Sequence, residues 1–236
     1  MTTTRRVLGG AGLVALALTM LLGLRLPPTE EQGDYSRLIA IHPAIAWVAY
    51  LAFGVMALGS LLYLIPSTRS RKWDHLAAAA AEVGAVFTTL MLVTGSIWGR
   101  PTWGVWWVWD ARLTLSALML ALLLGYVALR RVSVDSDRRA LVSAVAGLSA
   151  VVVIPVNHFA VTWWRTLHQG QSLSLNPEGR VDGSFIAAMT LGFLAFTLVY
   201  AWLLVHRVRV AHIEDERDAR ALDIAIDERR REAVSI

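Results

Sequence analysis

Six stretches of the chain are apolar for long enough to cross a bilayer, and short polar or charged segments separate them. They run over approximately 7–26, 38–65, 77–97, 113–129, 140–164 and 184–206. About 20 mostly apolar residues in a helix cover the hydrocarbon core, so the pattern predicts an all-α, polytopic protein of six transmembrane helices. The fourth run is short. The second and fifth are long enough to tilt, kink or project past the bilayer, and Pro155 is expected to bend the fifth. The first run is longer than a usual signal-peptide core, and no small-x-small cleavage pattern follows it, so it is expected as a retained helix. This gives a six-span membrane domain over 1–206 and a charged tail over 207–236. The tail mixes both charge signs with a sparse apolar set (Ile213, Leu222, Ile224, Ile226), which predicts a solvated helix.

Charge orients this pattern. Lys and Arg concentrate in the loops that stay inside. With the N-terminus in the cytoplasm, 16 of the 22 basic residues fall inside: Arg5, Arg6, Arg69, Arg71, Lys72, Arg130, Arg131, Arg138, Arg139 and seven arginines of the tail. Six fall outside: Arg25, Arg37, Arg100, Arg112, Arg165 and Arg180. Both termini are therefore expected in the cytoplasm. The pI near 9.9 is explained by basic span ends and does not call for a nucleic-acid partner. Charged residues make up 17% of the chain, against about 25% in a soluble domain, which fits a chain whose main partner is membrane lipid. With no cysteine, disulfides, thiolate metal sites and a CxxCH heme attachment are excluded.

One outward-facing segment carries unusual chemistry. WGRPTWGVWWVWDAR, residues 98–112, holds five of the ten tryptophans, Trp98, Trp103, Trp106, Trp107 and Trp109, followed by Asp110. Pro101 is suited to open a short helix. In such a helix Trp103, Trp106, Trp107 and Asp110 share one face, and the segment would lie along the outer interface. An aromatic belt accounts for one or two tryptophans. An aromatic cage for an ammonium group is a second possibility. The density favours a platform for a large, flat, apolar ligand.

The residues here resemble a known family. TGSIWGRPTWGVWWVWDARLT, residues 94–114, is similar to the tryptophan-rich WWD signature of the heme-handling proteins of cytochrome c maturation system I. RLIAIHPAIAW, residues 37–47, resembles that family's Arg-x4-His-x4-Trp segment. PVNHFAVTWWRTLHQG, residues 155–170, resembles its P-x3-F-S-V-x-W-W-x-T-L-H-Q segment. The six-span branch, the heme exporter C proteins, matches in length over roughly residues 30–206. The chain departs from the pattern where Pro43 follows His42 directly, where Ala160 replaces the common Ser, and in the run LTLSAL after Arg112.

The resemblance implies heme b as the bound group, and iron held non-covalently is commonly ligated by neutral imidazole. Topology sorts the six histidines. His75, His206 and His212 fall inside, while His42, His158 and His168 share the side of the tryptophans. His42 can pair with His158 or His168. His158 lies about 9 Å deeper than Trp164, at 1.5 Å per residue. If the fifth helix runs on past Trp164, His168 stands one turn above it. Delivery to a soluble partner favours the shallower His168, and the resemblance selects the same pair, His42 and His168. Arg37 and Arg112 match family positions and are expected to hold the heme propionates, with Arg100 and Arg165 also at hand. Asp110 is expected to pair with Arg112, cap a helix or orient a histidine. Glu82, near the inner end of the third span, stays outside the site.

What the resemblance implies is heme held at the periplasmic face of a bacterial inner membrane and passed to a periplasmic heme chaperone. ABC-transporter membrane and ATPase subunits then help release the loaded chaperone. The chain shows no nucleophile or general base of its own, which describes an assembly factor. The rivals are a bis-His membrane cytochrome of b type and a heme permease. No second matched histidine pair within the spans supports the first, and no ligand route across the membrane supports the second.

Overall fold

The computed structural model describes residues 3–132, 135–168 and 182–234. Arg180, counted above on the outer side, lies outside these residues. Among the described residues there are seven α-helices: α1 (Thr3–Arg25), α2 (His42–Leu64), α3 (Arg71–Trp103), α4 (Ala111–Val132), α5 (Ser136–Ala150), α6 (Val153–Trp163) and α7 (Gly183–Val234). A 3-10 helix, Asp34–Ala40, leads into α2. Among the described residues the only β pairing is an isolated bridge between Thr29 and Gly33. Six segments are long and apolar enough to cross a membrane, with α5 and α6 together forming the fifth. The protein is a multi-pass, all-α membrane protein, as the hydropathy pattern predicts.

The core is the α2–α3 seam. Ala44, Val48, Ala52, Phe53 and Met56 of α2 are buried against Ala77, Ala80 and Ala81 of α3, with Met119 and Leu123 of α4 closing over them. Lipid tails are as apolar as leucine, so helices in a membrane gain little by hiding apolar surface. Small residues that let backbones approach and pack make the difference, which explains the alanine run of α3. α1 lies along α7 at the edge of the bundle.

The fifth span is broken, as Pro155 leads one to expect, and the break falls one turn before the proline. Pro155 has no N–H to give the Val151 carbonyl. That carbonyl accepts instead from Ile154 N–H at 3.0 Å, and the chain turns at Val151–Val152. Below the turn α5 packs on α2, and above it α6 packs on α4. Both halves of the span thus share α4 as a neighbour, and α5 alone packs extensively on α2.

Ion pairs gather at the opposite end. Arg130 binds Asp74 in a bidentate pair, 2.5 and 2.9 Å, with the Asp74 side chain 3% exposed. Arg207 reaches Glu82 at 2.5 and 2.9 Å and Glu214 at 3.0 Å. Glu82, a lone acid in an apolar span by sequence, therefore has a cationic partner on α7. Asp215 lies 3.3 Å from His75 and 3.6 Å from Arg139. These contacts hold the first turns of the charged tail against the bundle. The tail is not a separate helix: α7 continues unbroken from the last span to Val234, 52 residues, or about 78 Å at 1.5 Å per residue.

Candidate functional site

The end of the bundle away from those ion pairs is built around His42. It is the first residue of α2, followed by Pro43 at a position where a proline fits a helix start. Its Nδ1 lies 2.9 Å from the Thr94 hydroxyl on α3. That hydroxyl has one proton, and it is given to the Leu90 carbonyl at 2.8 Å. With that proton on the Leu90 carbonyl, Thr94 accepts, the imidazole carries its proton on Nδ1 and the Nε2 lone pair is bare. An imidazole oriented in this way through its second nitrogen is the usual form of a metal-binding histidine. The ring lies against Gly95, where a Cβ would come within 3.0 Å of Cε1. The Trp98 indole stands edge-on to it, centroids 5.7 Å apart, and donates through Nε1 to Gln32 at 3.0 Å.

One turn on from Gly95, Gly99 makes room for the Trp103 indole, which folds back over the helix at that point. The Trp103 ring lies 6.2 Å from the His168 ring. The imidazole at the start of α2 thus stands beside Trp98, and the one from the segment after α6 stands beside Trp103, whose indole packs on Gly99, the residue next to Trp98.

The tryptophan segment itself departs from the expected short helix. Pro101 does not open a helix but lies within the last turn of α3, which runs on to Trp103. Gly104 then takes φ 78°, a left-handed conformation that closes the helix, and its N–H donates to the Arg100 carbonyl at 3.0 Å. Residues 104–110 are non-helical. Trp103, Trp106, Trp107 and Asp110 consequently do not share a helical face. Trp106 and Trp109 are 58% and 75% exposed. Trp107 is half-buried, stands edge-on to Trp109 at 5.4 Å, and buries an indole N–H with no hydrogen-bond partner among the described residues.

Asp110 joins the tryptophan segment to the histidine segment. One carboxylate oxygen caps α4, accepting from Leu113 N–H at 2.8 Å. The other accepts from Leu167 N–H, also at 2.8 Å. Of the three roles expected of Asp110, pairing with Arg112, capping a helix or orienting a histidine, the structure shows the cap. The fifth helix does not run on past Trp164, the condition that would have set His168 one turn above it. α6 ends at Trp163, Trp164 is extended, and His168 is reached by a non-helical strand of chain that Asp110 pins at Leu167.

Arg37, Arg112 and Arg100 have partners of their own. Arg37 donates from Nε to the Leu26 carbonyl at 2.8 Å and pairs with Asp34 at 3.1 Å. Arg112 donates from one guanidinium nitrogen to the carbonyls of Asn157 and His158, 3.1 Å each. Arg100 bonds the Gly104 carbonyl, and Arg165 is exposed. The His158 ring lies edge-on against Phe159, 5.0 Å between centroids.

Sequence reasoning passes over Thr94, Gly95, Tyr50, Ser116 and Asn157. Tyr50 donates to Asn157 at 2.5 Å, and Asn157 donates to Ser116 at 3.0 Å and to the Arg112 carbonyl at 3.2 Å. A polar Asn within an apolar span is the signal that points to the last of these.

Fold and site together define a multi-pass membrane protein with two histidines set among tryptophans at one end of its bundle. The family model for heme exporter protein C matches residues 1–223. The chain is 35% identical over 206 residues to heme exporter protein C of Haemophilus influenzae, covering 86% of this chain and 82% of that one. It is 38% identical over 196 residues to the protein of the same name from Bradyrhizobium diazoefficiens, covering 83% and 74%. Against heme exporter protein C of Escherichia coli (strain K12) the identity is 36% over 202 residues, covering 84% and 80%. The chain belongs to the heme exporter protein C family.

Proposed function

We propose that this protein holds heme b at the periplasmic face of the bacterial inner membrane and passes it to a periplasmic heme chaperone during c-type cytochrome maturation. The observation that carries this reading is the placing of His42, held through Nδ1 by Thr94 beside Trp98, and of His168 beside Trp103, whose indole packs on Gly99 next to Trp98. Two imidazoles next to indole rings suit a flat iron porphyrin. They are poorly suited to an ammonium ligand, for which an aromatic cage has no use for a histidine pair.

In this reading His42 and His168 supply the axial nitrogens. Trp98 and Trp103 border the ring, and the exposed Trp106 and Trp109, with Trp107, cover its outer edge. Arg37 and Arg112 face the propionates with the donors left over from their backbone contacts. Asp110 sets the position of His168 through Leu167. The outer placement rests on the Lys/Arg imbalance of the loops. Release of the loaded chaperone would fall to ABC-transporter membrane and ATPase subunits, consistent with the exporter name of the relatives.

The test is to load the purified protein with hemin and add a periplasmic heme chaperone. A lasting one-to-one complex that takes heme from this protein supports delivery. Reversible reduction of a heme that never leaves supports an electron-transfer cytochrome instead.

A further inference from the structure

The span that leads to His168 contains a second histidine, His158, and both stand on the side of the membrane where His42 lies. What sets the orientation of α6 therefore decides which of the two can meet His42. α6 has eleven residues and, behind the break at Val151–Val152, is not a rigid extension of α5. Its inward face is Val153, Asn157 and Ala160, all buried, at the i, i+4, i+7 spacing of one helix face. Asn157, 1% exposed, is the polar member. It is held on three sides, by the Tyr50 hydroxyl of α2 at 2.5 Å, Ser116 Oγ of α4 at 3.0 Å and the Arg112 carbonyl at 3.2 Å. Arg112 answers with its guanidinium, which grips the carbonyls of Asn157 and His158 at 3.1 Å each. A short helix that could otherwise turn about its axis is fixed by five hydrogen bonds to two neighbours. His158 is the next residue, about 100° further around the helix, and its ring lies on the Phe159 flank.

We propose that the Tyr50–Asn157–Arg112 network positions α6 so that His158 is kept out of the iron-binding place and His168 is selected as the partner of His42. Asn157 and Tyr50 are positioning residues. They act by setting the rotation of α6, and a turn of one residue position would bring His158 to where Asn157 now points. This rests on the heme reading above. The consequence is a heme kept at the outer end of the bundle, since ligation by His158 would draw it deeper into the membrane.

The experiment uses the full chain in detergent, loaded with hemin, and reads the spin state by absorption and electron paramagnetic resonance. A low-spin bis-imidazole spectrum of the unaltered protein, lost in His42→Ala, establishes the heme reading separately. In a His168→Ala background the network should leave the iron with one imidazole and a high-spin spectrum. Adding Asn157→Leu, or Tyr50→Phe, should then restore the low-spin form, raising its fraction about fivefold, the shift that losing a net hydrogen bond of about 1 kcal/mol allows. A further His158→Ala should remove that gain. Tyr50→Phe deletes a single hydroxyl, so it carries the test if Asn157→Leu fails to fold. The proposal is overturned if His168→Ala alone is already low-spin through His158. It is equally overturned if the network variants stay high-spin in protein with an unchanged melting profile.

Discussion

Asp110 and Leu167 are joined by a hydrogen bond of 2.8 Å from the Leu167 amide to a carboxylate oxygen whose twin, 2.8 Å from Leu113, caps α4. One side chain therefore ties the end of the tryptophan segment to the residue before His168. A carboxylate can accept at both oxygens, and an amide can accept at only one. Asp110→Asn is expected to keep either the cap or the Leu167 contact but not both. Loss of the cap alone costs about 1 kcal/mol. Asp110→Ala should lower the melting temperature and weaken hemin retention together, whereas a cap-only role would move the melting temperature and leave hemin titration unchanged.

Thr94 holds His42 through Nδ1 at 2.9 Å. Thr94→Val keeps the shape and removes the acceptor, so Nδ1–H loses its partner and the ring loses its orientation. Removing such a second-sphere contact typically costs 10–100-fold in affinity, and hemin binding should fall by about that range. Thr94→Ser retains the hydroxyl and should stay within about threefold of the unaltered protein, well inside that range. Equal losses from both substitutions would remove the hydrogen bond from the explanation.

The buried pair at the other end is expected to matter for folding and not for heme. Asp74→Ala leaves the Arg130 guanidinium buried without its bidentate partner, and breaking such a pair costs about 3–5 kcal/mol. Replacing both residues by apolar ones of similar volume should recover most of that loss. A double-mutant cycle on melting stability checks this, and hemin affinity per folded molecule should be unchanged throughout.

Orientation has its own test. A cysteine introduced at Gly104 should react with an impermeant thiol reagent in intact cells, and one at Ser136 should not. The opposite result would place the tryptophan segment in the cytoplasm.

The spans were legible because hydropathy is a sum over some 20 residues, and a single deviant position scarcely changes it. The bend of span five was legible because a proline removes one identifiable hydrogen bond. The tryptophan segment was misjudged because periodicity takes no account of Gly104, which can close a helix in a conformation other residues avoid. His168 does lie beside Trp103, but not by the helical route that would have set it one turn above Trp164. No helix carries it there, and the contact that does, Asp110 to Leu167, spans 57 residues of sequence. Thr94 and Tyr50 were invisible for the same cause, since their partners lie on other helices. Long-range hydrogen bonds leave no local pattern to read.

The central claim is that His42 and His168 hold the iron together, and the most direct measurement is the spectrum of the purified, hemin-loaded protein and its three histidine variants, with and without free imidazole. The unaltered protein should show a low-spin bis-imidazole spectrum. His42→Ala and His168→Ala should each lose it and regain it when imidazole fills the vacated position, and His158→Ala should keep it. A low-spin spectrum lost only in His158→Ala, and rescued there by imidazole, would contradict the pairing and place the heme deeper in the bundle.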